Sequence, residues 1–523
     1  MRLRRFPFLA LLFLALPAAP QRLIRSDSAS IRESLDRLQV LGSVMMIAAH
    51  PDDENNALLT YLARGRKAQT MYLSLTRGEG GQNLIGSEQS DQLGVVRTQE
   101  LLSAARIQGN SQWFTRAVDF GYSKTPQETT SKWSQEIVLR DTVFLIRKLR
   151  PDVIILRFSG TERDGHGHHQ ASHYVGKDAF LAAGDPQKFP EQLQWVQPWQ
   201  PKRLLYNVMA FQPQMEKEAD ALTDVLRYDV GAFDPQLGFS YAELAGVSRS
   251  NHKTQSFGSA ERRGPVRAHL QHIAGDKAAR DLFDGVELSW RRVPNGAAIG
   301  DLLAQASRDF NPVDPSAIVP KLLDARVKLA ARQDQTKDHW VTIKLRELDE
   351  TIVLCAGLFV DFHADREFLT PGSTAKTTLT VLNRSKLPLT WNGKPLPPNQ
   401  PVTESQDWSV PATMSVSQPY WLMEPKQRNG AIYSISDPQM LGEAENLPIR
   451  STTITLSFNG QNFQITRPLR HRFVDRIEGE LVRAVKIAPV VAVRVSDAVL
   501  LFPNTASRRV SVEVKSNIGK AAG

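Results

Sequence analysis

From about residue 41 to residue 210, short apolar runs alternate with longer segments whose apolar residues recur at helical spacing. The runs at 43–49 (SVMMIAA), 69–75, 152–157 and 203–209 are short and rich in aliphatic or β-branched residues, which favours buried strands over helices. The segments 56–67, 88–107, 132–150 and 171–183 carry the helical spacing. Strands alternating with helices predict an α/β, Rossmann-like fold, a mostly parallel sheet with helices on both faces. In such a sheet, ligands bind in the crevice beyond the carboxyl ends of the strands.

The pattern then changes twice. Residues 307–354 are helical and charge-rich (KLLDARVKLAARQDQ), as a packing or connecting region would be. After about Ala356, TPGSTAKTTLTVLNRSKLPLTW alternates polar and apolar positions between Gly, Pro and Asn turns, and 451–463 and 484–495 repeat that character. These predict antiparallel strands of a C-terminal β-sandwich. The final stretch, VAVRVSDAVLLFPNTASRRVSVEVKSN, resembles the opening hairpin of another such module, and a truncated chain is expected. The expected organisation is therefore a signal peptide over 1–20, an α/β domain over 24–300, a helical connection over 301–355, a β-sandwich over 356–485 and the start of a further β-module over 486–523.

Composition narrows the classes. With 523 residues, 41% hydrophobic and 23% charged, the chain is globular and too long for one core. The formal charge of +9 is spread thinly, with Arg2, Arg4 and Arg5 in the leader and no Lys/Arg block to grip phosphates. Nucleic acid is not an expected partner. MRLRRFPFLALLFLALPAAP has the basic start, short apolar stretch and small residues of a secretory signal peptide. Its apolar part is shorter than the roughly 20 residues of a bilayer span, so no permanent membrane span is expected and the mature chain is secreted or periplasmic. Cys355, the only cysteine, excludes an intramolecular disulfide, and its apolar setting suits a buried structural thiol.

Two clusters carry candidate chemistry. Ala49-His50-Pro51-Asp52-Asp53-Glu54 closes the first apolar run, and Asp164-Gly-His166-Gly-His168-His169 follows the run at 152–157. Loops after neighbouring strands meet over one sheet edge, so His50, Asp52 and Asp53 are expected to face His166 and His169. Two imidazoles and one carboxylate are the ligand set of an open zinc site, although iron or another divalent ion suits mixed nitrogen and oxygen ligands too. An adjacent carboxylate that is not a ligand is free to take a proton. Glu54 is expected at the helix start, facing its dipole.

AHPDDE after a first strand, with a later HxxH-type loop, resembles the LmbE-like (PIG-L) family of zinc-dependent N-acetylglucosaminyl deacetylases and related amidases, over roughly 42–258. The resemblance implies His50, Asp53 and His169 as metal ligands, Asp52 as general base, and His166 as the group that polarises the acyl carbonyl. It also implies a small-molecule or glycan substrate bearing an N-acyl amino sugar. Family members commonly carry an aspartate where this chain has His168, and Asp164 is a candidate to replace it. The tyrosine that some relatives place before the first histidine is missing. Thr76-Arg77-Gly-Glu79-Gly-Gly81-Gln-Asn83, Arg97 with Glu100, and Arg249 with His252 are candidate substrate-crevice positions, of which Arg77, Glu79, Arg97 and His252 are taken as substrate-binding. Beside removal of an N-acetyl group stand two further readings, an amidase of larger acyl glycoconjugates and a non-catalytic glycan-binding protein of the cell envelope.

Overall fold

The structure is a computed structural model that describes residues 27–518, apart from 211, 337, 428–429 and 497–499. The expected leader over 1–20 lies outside the described residues. Strands β1 (Ser43–Ala48), β2 (Gln69–Ser74), β3 (Ser111–Phe114), β4 (Val153–Leu156), β5 (Arg203–Asn207) and β6 (Val225–Asp229) form one sheet with the strand Arg267–Gly275. The order is β3-β2-β1-β4-β5, then Arg267–Gly275, then β6. The first five strands are parallel, and Arg267–Gly275 runs antiparallel to both its neighbours. All residues of β1 and β4 are buried, as expected of central parallel strands covered on both faces. The chain leaves β1 toward β2 and β3, then returns to β4 on the other side. That reversal opens a crevice at the carboxyl ends of β1 and β4.

Helices α1 (Ser28–Arg37), α2 (Asn56–Thr60), α3 (Asp91–Gln108), α4 (Pro126–Trp133), α5 (Gln135–Leu149), α6 (Gly167–Ala182), α7 (Pro213–Ala221) and α8 (Tyr241–Arg249) accompany the sheet. Met45, Ile47, Ile154 and Leu156 share one apolar cluster with Val138, Leu145, Ala171 and Val175 of α5 and α6. Val44, Met46, Val153 and Ile155 enter a second cluster with Leu58, Leu59 and Leu62 of α2 and its continuation. The alternation along each strand thus assigns one set of side chains to each covered face.

Two of the helix boundaries that differ from expectation matter to the site. The helix expected over 132–150 is two helices, α4 and α5, broken at Ser134 with φ +60°. Thr125 caps α4 with Pro126 in its first turn, so the helix begins earlier than the apolar spacing shows. Helix α6 starts at Gly167, not 171, because His166 serves as its N-cap. Its Nδ1 accepts from the His168 backbone N–H at 3.2 Å. The histidine loop is therefore the first turn of a helix.

Helices α9 (Ala297–Arg308), α10 (Val319–Thr336) and α11 (His339–Cys355) fill the region expected to be helical. They share an apolar cluster with α1 and with two further sheets. One sheet has the order Pro401–Ser409, Thr374–Asn383, Leu358–Ala364, Arg470–Asp475, Gly479–Ala484; the other has Lys394–Pro395, Thr390–Trp391, Ser451–Phe458, Gln461–Pro468. Pairing is antiparallel except between Leu358–Ala364 and Arg470–Asp475. The run at 484–495 is divided: Lys486–Ile487 pairs with Phe368–Leu369, and Val491–Val495 forms a hairpin with Val512–Ser516. Cys355 is buried, and burial pushes its thiol up to about 12, as a structural cysteine requires.

The strand pattern gave no sign of where 410–450 goes. This connection leaves the C-terminal sheets and runs along the β3 side of the α/β unit as a strap. Phe114 N–H donates to Gly442 O at 3.1 Å, Val118 N–H to Ala431 O at 3.0 Å, and Tyr433 N–H to Arg116 O at 2.8 Å. Ala431, Ile432 and Leu441 enter the apolar cluster of β1, β2 and β4.

Candidate metal centre and its walls

The turn after β1 and the first turn of α6 meet in the crevice. His50 Nδ1 lies 3.2 Å from Asp53 Oδ2, and His169 Nε2 lies 3.3 Å from Asp53 Oδ1. Each of the three is oriented from behind. Tyr72 donates to His50 O at 2.6 Å, Arg157 Nε to Asp53 O at 2.7 Å, and His169 Nδ1 sits 2.8 Å from Asp164 O. A carbonyl only accepts, so that last contact places a proton on His169 Nδ1 and turns Nε2 toward Asp53.

Among the described residues, two groups bring three potential ligand atoms within 4.8 Å of one another: His50, Asp53 and His169, and His50, His166 and His168. The first suits a divalent ion better, since Asp53 supplies a neutralising charge. Ligand atoms about 2.1 Å from a tetrahedral ion lie about 3.4 Å apart, close to the separations here. The electrostatics agree. Burial opposes the His50 imidazolium, yet the Asp53 and Asp119 carboxylates outweigh it and raise His50 to about 9. Burial would raise Asp53, but His169 and His50 hold it well below the usual carboxylate range. The pocket is built around positive charge.

Asp52 is held differently. Its φ of +105° is a conformation that side-chain-bearing residues rarely adopt. Its N–H donates to Glu54 Oε2 at 2.9 Å, its carbonyl accepts from Arg249 at 3.1 Å, and Arg97 Nη2 donates to its Oδ2 at 2.9 Å. Oδ1 carries no hydrogen bond among the described residues. Burial raises this carboxyl despite Arg97. A strained carboxylate with one oxygen pinned and the other open suits proton transfer.

His166 stands beside these groups, its ring centroid 5.2 Å from that of His50 and 4.4 Å from that of His169. Burial, then the two neighbouring histidines, lowers it to about 3, so the ring is neutral. Its Nδ1 accepts a backbone N–H, which leaves the proton on Nε2 as a donor.

His168 is fully buried, stacked on Trp133 at 4.6 Å and edge-on to Phe120 at 4.4 Å. Burial lowers its pKa far below the usual histidine range. Its Nδ1 lies 3.1 Å from His50 Nε2, so the neutral ring accepts from His50 and fixes it from the side away from Asp53. The Asp164 carboxylate does not take this part; it is bound to the Ser159 and Gly160 backbone N–H groups at 3.0 and 2.7 Å. Asp119 does lie close, its oxygens 3.5 Å from His168 Nδ1 and 3.8 Å from His50 Nε2. Sequence reasoning missed it, because nothing in AVDFGYS marks a carboxylate that reaches a histidine 49 residues away.

The four residues taken as substrate-binding form walls instead. Arg77, Glu79, Arg97 and His252 are 1%, 3%, 3% and 0% exposed. His252 pairs with Glu54 at 2.7 Å, so Glu54 is a buried partner and not a dipole-facing helix start; Asn55 caps α2. Arg97 and Glu100 do not pair with each other: Arg97 bonds Asp52, Pro51 O and Gly78 O, while Glu100 accepts from Thr254. The glycines of the 76–83 turn make room for protein, not ligand. A Cβ on Gly78 or Gly81 would come within 2.5 or 2.3 Å of the Arg97 guanidinium. His173 packs on Phe158 O at 2.9 Å, away from the ligand atoms.

Residues 45–180, which hold both motifs, match the PIG-L family, described as GlcNAc-PI de-N-acetylase. No curated protein sequence matches the chain at a significant level. Among solved structures, N,N'-diacetylchitobiose deacetylase from Pyrococcus horikoshii, complexed with its inhibitor MPG, is 16% identical, with 40% of this chain and 70% of that chain covered and a TM-score of 0.31. The 4-carboxy-2-hydroxymuconate hydratase from Pseudomonas putida KT2440 is 14% identical, with 46% and 99% covered and a TM-score of 0.30.

Proposed function

We propose, from a chain whose residues 45–180 match the PIG-L family, that this protein is an exported zinc-dependent hydrolase that removes the N-acetyl group of an N-acetylglucosamine-type substrate. The observation that carries the reading is Asp52, set with an open carboxylate oxygen beside the His50, Asp53 and His169 donors. His50, Asp53 and His169 would hold the zinc, which supplies a Lewis acid for an amide oxygen and lowers the pKa of a water.

The remaining work falls to the chain. Asp52 Oδ1 takes the proton of the attacking water, while Arg97 keeps Oδ2 occupied and the side chain aimed. His166 Nε2–H donates to the amide oxygen as charge gathers there, and being neutral it does so without surrendering its proton. The proton on Asp52 then passes to the departing amine, which leaves acetate and a free amino sugar. The C-terminal sheets, read as a β-sandwich, stand outside this chemistry except through the strap.

The test is acetate release from N-acetylated chitooligosaccharides, peptidoglycan fragments and small glycoconjugates by wild type and Asp52→Asn. The variant is expected to keep its zinc and lose about 10²–10⁴-fold in kcat. Full activity in Asp52→Asn would end this reading of the mechanism.

A further inference from the structure

The strap at 410–450 does more than cover β3. Tyr433 Oη donates to Glu79 Oε1, whose other oxygen accepts from Arg77 N–H at 3.1 Å. The Arg77 guanidinium donates to Glu443 O at 2.9 Å and Ala444 O at 3.0 Å, and lies 4.5 Å over the Trp421 ring. Strap residues thus hold the 77–79 turn through both of its charged side chains. Burying a guanidinium and a carboxyl at an interface is costly where apolar side chains would pack more cheaply.

What that turn supports gives the arrangement a purpose. Gly78 O accepts from Arg97 Nη1 at 2.8 Å, and Arg97 Nη2 reaches Pro51 O at 2.6 Å and Asp52 Oδ2 at 2.9 Å. Gly78 and Gly81 leave no slack around the guanidinium. A shift of the turn is therefore passed to Arg97 and on to Asp52.

We propose that the strap is a positioning element of the active site: Tyr433, acting through Glu79 and Gly78, sets the Arg97–Asp52 pair, so the α/β unit requires the C-terminal region for full turnover. This rests on Asp52 being the base. Tyr433 touches no reacting atom.

The experiment is Tyr433→Phe in the full chain, read by steady-state kinetics, zinc content and amide hydrogen exchange of residues 76–81. The variant is expected to keep one zinc and a KM within about twofold, to lose about tenfold in kcat, and to exchange faster across 76–81. Glu79→Ala should do the same, and the double variant should be no worse than the poorer single one, whereas independent packing losses would multiply. Should Tyr433→Phe fail to fold, Glu79→Ala is read by the same measurements. Wild-type kcat with unchanged exchange overturns the proposal. If the wild-type protein hydrolyses no amide, the functional reading fails on its own, and exchange across 76–81 still decides for or against the strap.

Discussion

Replacing His168 by phenylalanine tests how the candidate metal centre is held. The ring can still stack on Trp133 and meet Phe120, so packing is largely retained. What disappears is the acceptor 3.1 Å from His50 Nε2. With Nδ1 turned to Asp53, the His50 Nε2–H becomes a buried donor without a partner, at a cost of about 1–3 kcal/mol. At about 1.4 kcal/mol per decade, that is roughly a 5- to 150-fold loss of zinc affinity. Loss of such an orienting partner costs about 10–100-fold in other metal sites, within the same range. Competition against a chromophoric chelator at fixed pH measures it. A zinc Kd within twofold of wild type would refute the assigned hydrogen bond. The family-like His168→Asp is expected to bind zinc poorly too, because its carboxylate would face Asp119, whose oxygen lies 3.5 Å from the present ring. Adding Asp119→Asn should restore affinity.

Two further outcomes follow from groups near this centre. The buried Glu54–His252 pair should make stability depend on pH in both directions. Glu54 is held below its ordinary 4.5: burial opposes this, but His252 prevails, so its contribution is lost as pH falls through the folded value. His252 is raised above 6.5 because Glu54 outweighs burial, so its contribution is lost as pH rises through the folded value. The difference in thermal midpoint between wild type and His252→Gln should therefore be largest between pH 4.5 and 6.5 and shrink as pH rises through the raised His252 value; a difference flat with pH would contradict the pairing. Removing metal with a chelator should abolish acetate release, and adding back one equivalent of zinc should restore it.

The alternation of apolar runs and helical segments foretold β1, β2, β4 and β5 within a residue or two, because strands buried on both faces leave little room for polar residues. AHPDDE and GHGHH were legible for the opposite reason: histidines and carboxylates at strand ends have no use in a core. The walls were not legible. Arg97 reads as a substrate contact, and only the folded turn shows that Gly78 and Gly81 open a slot for it. Asp119 and Tyr433 sit in stretches of ordinary composition, and their importance comes from neighbours distant in sequence. His166 looked like a loop residue because histidine and glycine are poor helix starters, yet its ring caps α6.

The strap also sets an order of events during synthesis. Glu79 is made 354 residues before the tyrosine that holds it. At about 5–20 residues per second, the nascent α/β unit spends roughly 20–70 s with its β3 flank bare and a charged turn lacking its clasp. An unpaired strand edge exposed that long is an invitation to other chains. The site's readiness and the chain's protection from aggregation would then arrive together, as one late closure of the chain upon its own beginning.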